Sequence, residues 1–201
     1  MRSSRPENQR ALFVDDRCVA LLRGVNVGTA KRVAMADLRK VVEALGYRDV
    51  RTLLNSGNVV FTARPGTSVD AAARIEEAIE ARLGVATRVT VLTGREVAEA
   101  VRDNPLASVA DNPSRLLVMA SPEPKALRQL KPLLAEPWAP EALALGPRVA
   151  YLWCPAGVAQ SRLWATVQRT LGEACTARNL ATMAKIHQLL ARATRAGVRK
   201  P

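Results

Sequence analysis

The chain reads as an α+β protein of two tandem ferredoxin-like (split βαβ) lobes with an additional C-terminal helix. Three observations carry that expectation. The first half orders its apolar runs and helical stripes as β-α-β-β-α-β. The second half repeats this plan as a pattern, without repeating the residues. Between them, Asp103–Pro113 holds two Asn-Pro pairs, the strongest break in the chain. The expected division is a loose extension over 1–16, a first lobe over 17–104 and a linker over 105–114, then a second lobe with its C-terminal helix over 115–193 and a basic tail over 194–201.

In the first half, Cys18 to Leu22 is a short apolar run closed by Arg23-Gly24, as in a buried strand. Leu38, Val41, Val42 and Leu45 recur at i, i+3, i+4 and i+7, one stripe of a helix that Gly46 ends as a left-handed residue. Val50 to Leu54 and Asn58 to Thr62 flank Ser56-Gly57 and form a hairpin. A helix from Val69 to Leu83 follows, with Ser68 as N-cap, Asp70 in its first turn and Gly84 beyond its end. Thr87 to Leu92 alternates polar residues with Val and Leu, a half-buried strand, and Arg95 to Arg102 is a short helix.

In the second half, Arg115 to Ala120 is a strand, and Ser121-Pro122-Glu123 opens a helix with Leu127, Leu130 and Leu134 on one side. Ala142 to Leu145 and Arg148 to Cys154 pair across Gly146-Pro147. A helix from Ser161 to Leu171 is stopped by Gly172, and a last helix runs from Asn179 to Ala193.

With 201 residues, 48% of them hydrophobic, the chain can bury a core without metal or disulfide staples. Cys18, Cys154 and Cys175 are an odd number of scattered thiols, which suits a reducing, cytoplasmic setting. No apolar run is long enough to span a bilayer, and the arginine-bearing start lacks the apolar core of a secretory signal. The net charge of +12 is uneven: +4 to Ala110 and +8 beyond it. Such an imbalance favours phosphate-bearing partners, although arginine outnumbers lysine 24 to 6 in an alanine-rich chain, as a GC-rich coding bias also produces.

Val19-Ala-Leu-Leu-Arg-Gly-Val-Asn-Val-Gly28, the Met35-Ala-Asp-Leu-Arg motif with Leu45-Gly-Tyr47, and Val50-Arg-Thr-Leu-Leu-Asn-Ser-Gly-Asn-Val-Val-Phe61 resemble the bacterial domain of unknown function 1697 family. Ser161-Arg-Leu163, Leu171-Gly172 and Thr176-Ala-Arg-Asn179 extend the likeness, so that it covers about Cys18 to Leu190. The resemblance implies a two-lobed α+β fold and brings no activity with it. The chain departs from the pattern where the family reads Arg-Asn-Trp-Asn-Thr, having Arg178-Asn-Leu-Ala-Thr182, and has Arg162 in place of a lysine.

Three polar clusters are candidates for a site. Arg23-Gly24-Val25-Asn26-Val27-Gly28 follows the first strand, and its glycines let backbone N–H groups converge on an anion beside Arg23. Its glycines lie four apart, so it is neither a phosphate loop nor a dinucleotide fingerprint. Asn55-Ser56-Gly57-Asn58 is first of all a turn, whose Asn55, Ser56 and Asn58 reach a ligand only if the tip lies beside Asn26. Arg178-Asn179 opens the last helix, with Asn179 as its cap and Arg178 positioned for a phosphate or for a carboxylate of the other lobe.

No catalytic constellation stands out. His187 is the single histidine and lies on the flank of a helical stripe, with neither a nucleophile elbow nor metal-ligand spacing around it. Tyr151 and Trp153 share a strand face and read as packing groups rather than a base-stacking platform. The expectation is a cytosolic, non-catalytic protein that needs no metal or cofactor and binds a small anionic or phosphorylated ligand between its lobes. Arg23, Gly24, Asn26, Gly28, Asn55, Ser56, Asn58, Arg178 and Asn179 are the expected ligand-binding residues. The first alternative is sequence-neutral nucleic-acid binding through Arg162, Arg169, Arg178, Lys185, Arg192, Arg195 and Arg199; the second is an enzyme of unrecognised type. Membrane partners are not expected, and the oligomeric state is left open.

Overall fold

In the computed structural model, residues 17–26, 32–64, 70–173 and 175–197 are described, with side chains through 192. The expected extension over 1–16, Gly28, the Ser68 cap with Val69, and Arg199 of the basic tail lie outside the described residues, as does the side chain of Arg195.

Two four-stranded antiparallel sheets and several helices make up the chain. In the first half, β1 (Arg17–Leu22), α1 (Met35–Ala44), β2 (Arg48–Leu53), β3 (Asn58–Thr62), α2 (Ala71–Leu83) and β4 (Val89–Thr93) build a sheet of order β2-β3-β1-β4. After α3 (Gly94–Arg102), the second half uses β5 (Leu116–Ala120), β6 (Ala142–Leu145), β7 (Ala150–Trp153), α4 (Arg162–Leu171) and β8 (Thr176–Asn179) in the order β6-β7-β5-β8. Thus the two sheets share one strand order. The last helix, α5, runs from Leu180 to Gly197.

Strand alternation sorts the core into three layers of packing. Cys18, Ala20 and Leu22 of β1 face α1 and α2, whose Leu38, Val42, Ile75 and Ile79 are fully buried. Val19 and Leu21 face the opposite way, into a central core shared with Leu116, Val118, Tyr151 and Trp153 of the second sheet. Within that layer, α3 supplies Val97 and Ala100, and α5 supplies Met183, Ile186 and Leu190. On the far side of the second sheet, Leu117, Met119 and Leu152 pack against Leu163, Val167 and Leu171 of α4. Leu106 and Ala110, in the stretch between the halves, also pack against the central core.

Local chemistry explains most boundaries. Gly46 and Gly84 take left-handed backbone where α1 and α2 end. Thr93 begins α3 with a capping box: its hydroxyl accepts from Glu96 N, and the Glu96 carboxylate accepts from Thr93 N at 2.8 Å. Ser161 caps α4 by accepting from Trp164 N at 2.8 Å, and Asn179 caps α5 by accepting from Thr182 N at 2.8 Å.

Two expectations are corrected. The segment opened by Ser121-Pro122-Glu123 is 3₁₀ rather than α over Pro124–Ala135. At three residues per turn, Leu127, Leu130 and Leu133 line up on the core and Leu134 turns outward, 47% exposed. Thr176-Ala177-Arg178-Asn179, expected only as the entrance to the last helix, does lead into α5 with Asn179 as its cap but also forms the edge strand β8. Its side chains are mostly polar, so it carries no apolar alternation; its pairing with β5 defines it, with Arg178 opposite Val118.

Candidate functional site

The turn at 55–58 and β8 meet at the junction of the halves. Gly57 takes φ +71°, and a Cβ there would lie 2.5 Å from Val25 Cγ2 and 2.8 Å from Leu22 Cβ. Only glycine lets the turn lie this close to the end of β1, where Leu22 N donates to Gly57 O at 2.8 Å. That approach aims the carbonyls of Leu22 and Ser56 at Arg178 from the other half, and Arg178 Nη2 donates to them at 2.7 and 2.9 Å. Its Nε–H donates to Asn58 Oδ1 at 2.6 Å, and its Nη1 to Thr176 Oγ1 at 3.0 Å and Ala177 O at 2.8 Å.

All five guanidinium N–H groups of Arg178 therefore have acceptors. Asn58 is fully buried, and its Nδ2 donates to Leu53 O and Ser56 Oγ. Burial lowers the Arg178 pKa to about 10, because desolvation penalises the charged form. The protein acceptors of Arg178 are backbone carbonyls, Thr176 and Asn58 rather than a carboxylate, and through Asn58 and the carbonyls of Leu22 and Ser56 it grips the other half.

Asn26 does the same work nearby. Left-handed at φ 56°, it pairs its amide with the backbone of Val33, accepting from Val33 N at 2.9 Å and donating to Val33 O at 2.8 Å. Its Nδ2 also donates to Asn55 O at 2.8 Å, so the tip of the hairpin does lie beside Asn26. Arg23 crosses to the second half, where it donates to Cys175 O and approaches Gln168 Oε1 at 3.5 Å. The Cys175 thiol is pushed up by burial, which Arg23 partly opposes. The structure thus gathers Arg23, Asn26, Asn55, Ser56, Asn58 and Arg178 at one junction, and most of their polar groups are spent on one another or on backbone.

Beside this junction open two neighbouring cavities of about 340 and 480 Å³ that share Glu76, Arg88 and Glu173 in their linings. The first is lined by Arg23, Gly24, Thr87 and Arg88 with Glu76 and Glu80 of α2, and by Glu173 from the second half. Arg23 and Gly24 are held along one wall: Arg23 N donates to Arg88 O, and the Thr87 hydroxyl to Arg23 O, both at 2.8 Å. The second cavity continues past Glu76, Arg88 and Glu173 to Ser121 and Glu123. Glu76 is occupied, accepting from Val89 N at 2.7 Å and facing Arg88 Nη1 at 3.5 Å. Sequence reasoning did not single out Glu76, Glu80, Glu123 or Glu173 as site residues. The helical spacing of Glu76 and Glu80 was the available signal.

The basic residues proposed for nucleic acid do not share one face. Arg162 and Arg169 lie on α4, whereas Lys185 and Arg192 lie on α5, and these helices cover opposite faces of the second sheet. Arg162 donates to Pro137 O at 2.6 Å and stacks 5.0 Å from the Trp138 ring, and Arg178 is buried as described. Tyr151 and Trp153 are buried in the central core, Tyr151 donating to Ala100 O at 3.0 Å. Among the described residues no His, Cys, Asp and Glu cluster could hold a metal, and no helix is long and apolar enough to cross a membrane.

Known proteins match this arrangement in two ways. A family model described as "Protein of unknown function (DUF1697)" matches residues 16–151, which contain the three long motifs of the first half. The solved structure of conserved bacterial protein SP0830 from Streptococcus pneumoniae is similar with a TM-score of 0.71, covering 87% of this chain and 98% of that one. At 22% identity that likeness is one of fold. Among curated proteins, none matches.

Proposed function

Because the chain belongs to the family described as Protein of unknown function (DUF1697), which brings no activity with it, we propose a function from geometry: non-catalytic binding of a small charged ligand in the cleft between the halves. We read each half as a ferredoxin-like lobe, a reading supported by the shared strand order and the antiparallel pairing throughout. The three cysteines, all free and buried, support a cytoplasmic protein.

One observation carries the binding reading. The two cavities share Glu76, Arg88 and Glu173 in their walls, draw on both halves, and have volumes within the roughly 300–1,000 Å³ of small-molecule sites. Their lining amends the expected ligand charge. An anionic group finds Arg88 and Arg23, whereas the exposed carboxylates of Glu80, Glu123 and Glu173 make no hydrogen bond or ion pair with a described residue and are free to face a basic group. The ligand class is a small zwitterion, such as a phosphorylated or carboxylated amine.

Thermal-shift titration with phosphoethanolamine, amino acids, and matched acids and amines separately tests this. Stabilisation by zwitterions alone, lost in Glu80→Gln and in Arg88→Gln, is the expected result. No stabilisation, or stabilisation that survives both substitutions, overturns it.

A further inference from the structure

A second place in the chain, apart from the cleft, gathers cations along one cavity. The 3₁₀ segment Pro124–Ala135 is bonded from i to i+3 at its ends, Ala126 N to Glu123 O at 2.9 Å and Glu136 N to Leu133 O at 3.3 Å. With three residues per turn, side chains at i, i+3 and i+6 stand directly above one another. The turns that bury Leu127 and Leu130 therefore also align Lys125, Arg128 and Lys131 as a row. At a rise of about 2 Å per residue, neighbouring members of that row start about 6 Å apart along the axis. An α-helix would have spread the same three residues around its surface.

These cations line a cavity of about 220 Å³ whose remaining wall includes Leu127 and the Leu145-Gly146-Pro147 turn. No carboxylate lines it, and none of the three forms an ion pair or hydrogen bond with a described residue. Some surface arginines of this chain are answered by an acid, as Arg39 is by Glu43 and Arg95 by Glu99, each at 2.8 Å, and others, such as Arg51 and Arg82, stand singly; the row differs in gathering three cations along one cavity. Three aligned like charges without a counter-charge repel one another, and an anion spanning the row relieves that repulsion.

We propose that Lys125, Arg128 and Lys131, with the Leu145–Pro147 turn, form a binding site for a linear polyphosphate group. The row matches several anionic groups in series better than a single one, and the cavity is smaller than the roughly 300 Å³ at which drug-sized pockets begin. Arg128, in the middle, can offer a planar pair of donors to one phosphate while the lysines hold its neighbours as point charges.

Isothermal titration calorimetry of the full chain with inorganic orthophosphate, tripolyphosphate and a nucleoside triphosphate tests the site at fixed ionic strength. Tripolyphosphate is expected to bind at least 10-fold tighter than orthophosphate. Arg128→Gln with Lys131→Gln should weaken it at least 10-fold, while Lys40→Gln on α1 and Glu80→Gln in the cleft leave it unchanged. Binding of the nucleoside triphosphate at the tripolyphosphate affinity places the whole recognition in the phosphates; tighter binding, lost in the same double variant, adds a base-bearing ligand to the same site. The proposal is overturned if tripolyphosphate does not bind, if Lys40→Gln weakens it as much as the double variant, or if duplex DNA binds to the row and tripolyphosphate does not compete. All substituted residues are solvent-exposed, and unchanged circular dichroism checks that each variant is folded.

Discussion

The Nε–H of Arg178, on the edge strand of the second sheet, donates to Oδ1 of Asn58 at 2.6 Å, joining residues 120 positions apart. Neither is spare: Asn58 has both amide hydrogens engaged, and Arg178 has every donor engaged. Replacing Arg178 by Met leaves several carbonyls and Asn58 Oδ1 without a donor in a buried place. A loss of about 1–3 kcal/mol in denaturant unfolding is expected, the scale for leaving a buried hydrogen-bonding group unsatisfied. A double-mutant cycle with Asn58→Ala should give a coupling of about 0.5–3 kcal/mol, the range for residues sharing one network.

Gly57→Ala tests the close approach that makes this contact possible. Its Cβ would meet Val25 Cγ2 at 2.5 Å and Leu22 Cβ at 2.8 Å, on a backbone already at φ +71°. Overpacking alone costs about 1–3 kcal/mol, and the left-handed backbone adds about 1–2 kcal/mol. Gly84→Ala, with open space around its Cβ, should show only the backbone part. Thermal melts of the two variants separate the contributions.

The 3₁₀ register makes a sharp contrast between two leucines. Leu130 is fully buried and Leu134 is 47% exposed. Leu130→Ala should lose about 2–5 kcal/mol and Leu134→Ala less than about 0.5 kcal/mol in urea unfolding. Equal losses would show that the segment is α-helical in solution.

Local rules of sequence chemistry carried well for features set within a few residues. The stop of α1 at Gly46, the cap of α5 at Asn179 and the buried run Cys18–Leu22 are all of that kind. Features set by distant partners were illegible. β8 is a strand because β5 offers it an edge, and the acceptors of Arg178 are backbone carbonyls, which any residue could provide. The Leu134 register was missed because Leu127, Leu130 and Leu134 fit a 3.6-residue period as well as Leu127, Leu130 and Leu133 fit a period of three.

Alkaline pH provides a fourth test. Burial pushes the Tyr151 phenol up to about 12, with Asp103 adding to the shift. Its folded pKa lies above the unfolded value near 10, so its stabilising share is complete below pH 10 and is lost as pH rises from 10 through 12. Arg178 runs the opposite way in the same window: with its folded pKa lowered to about 10, the cost of burying its charge falls as pH rises past 10. Tyr151→Phe should therefore lessen the fall in unfolding free energy between pH 10 and 12, leaving the share of Tyr47, whose pKa burial also raises, as urea titration against wild type at each pH would show. A parallel decline in both proteins would show that another group governs it.

The inner faces of both sheets are covered by the same two helices, α3 and α5, and this has a consequence for how the molecule comes apart. Each half has an outer core of its own, but neither alone closes the central layer. A polypeptide ending at Asp103 keeps Val19, Leu21, Val60 and Leu92 but loses Met183, Ile186 and Leu190 from above them. The complementary piece, from Asn104 onward, keeps α5 yet offers it only one of its two surfaces. Cut there, both fragments are expected to expose apolar faces and to reassemble when mixed, and the intact protein is expected to melt in a single step, which gel filtration of the mixture and calorimetry check.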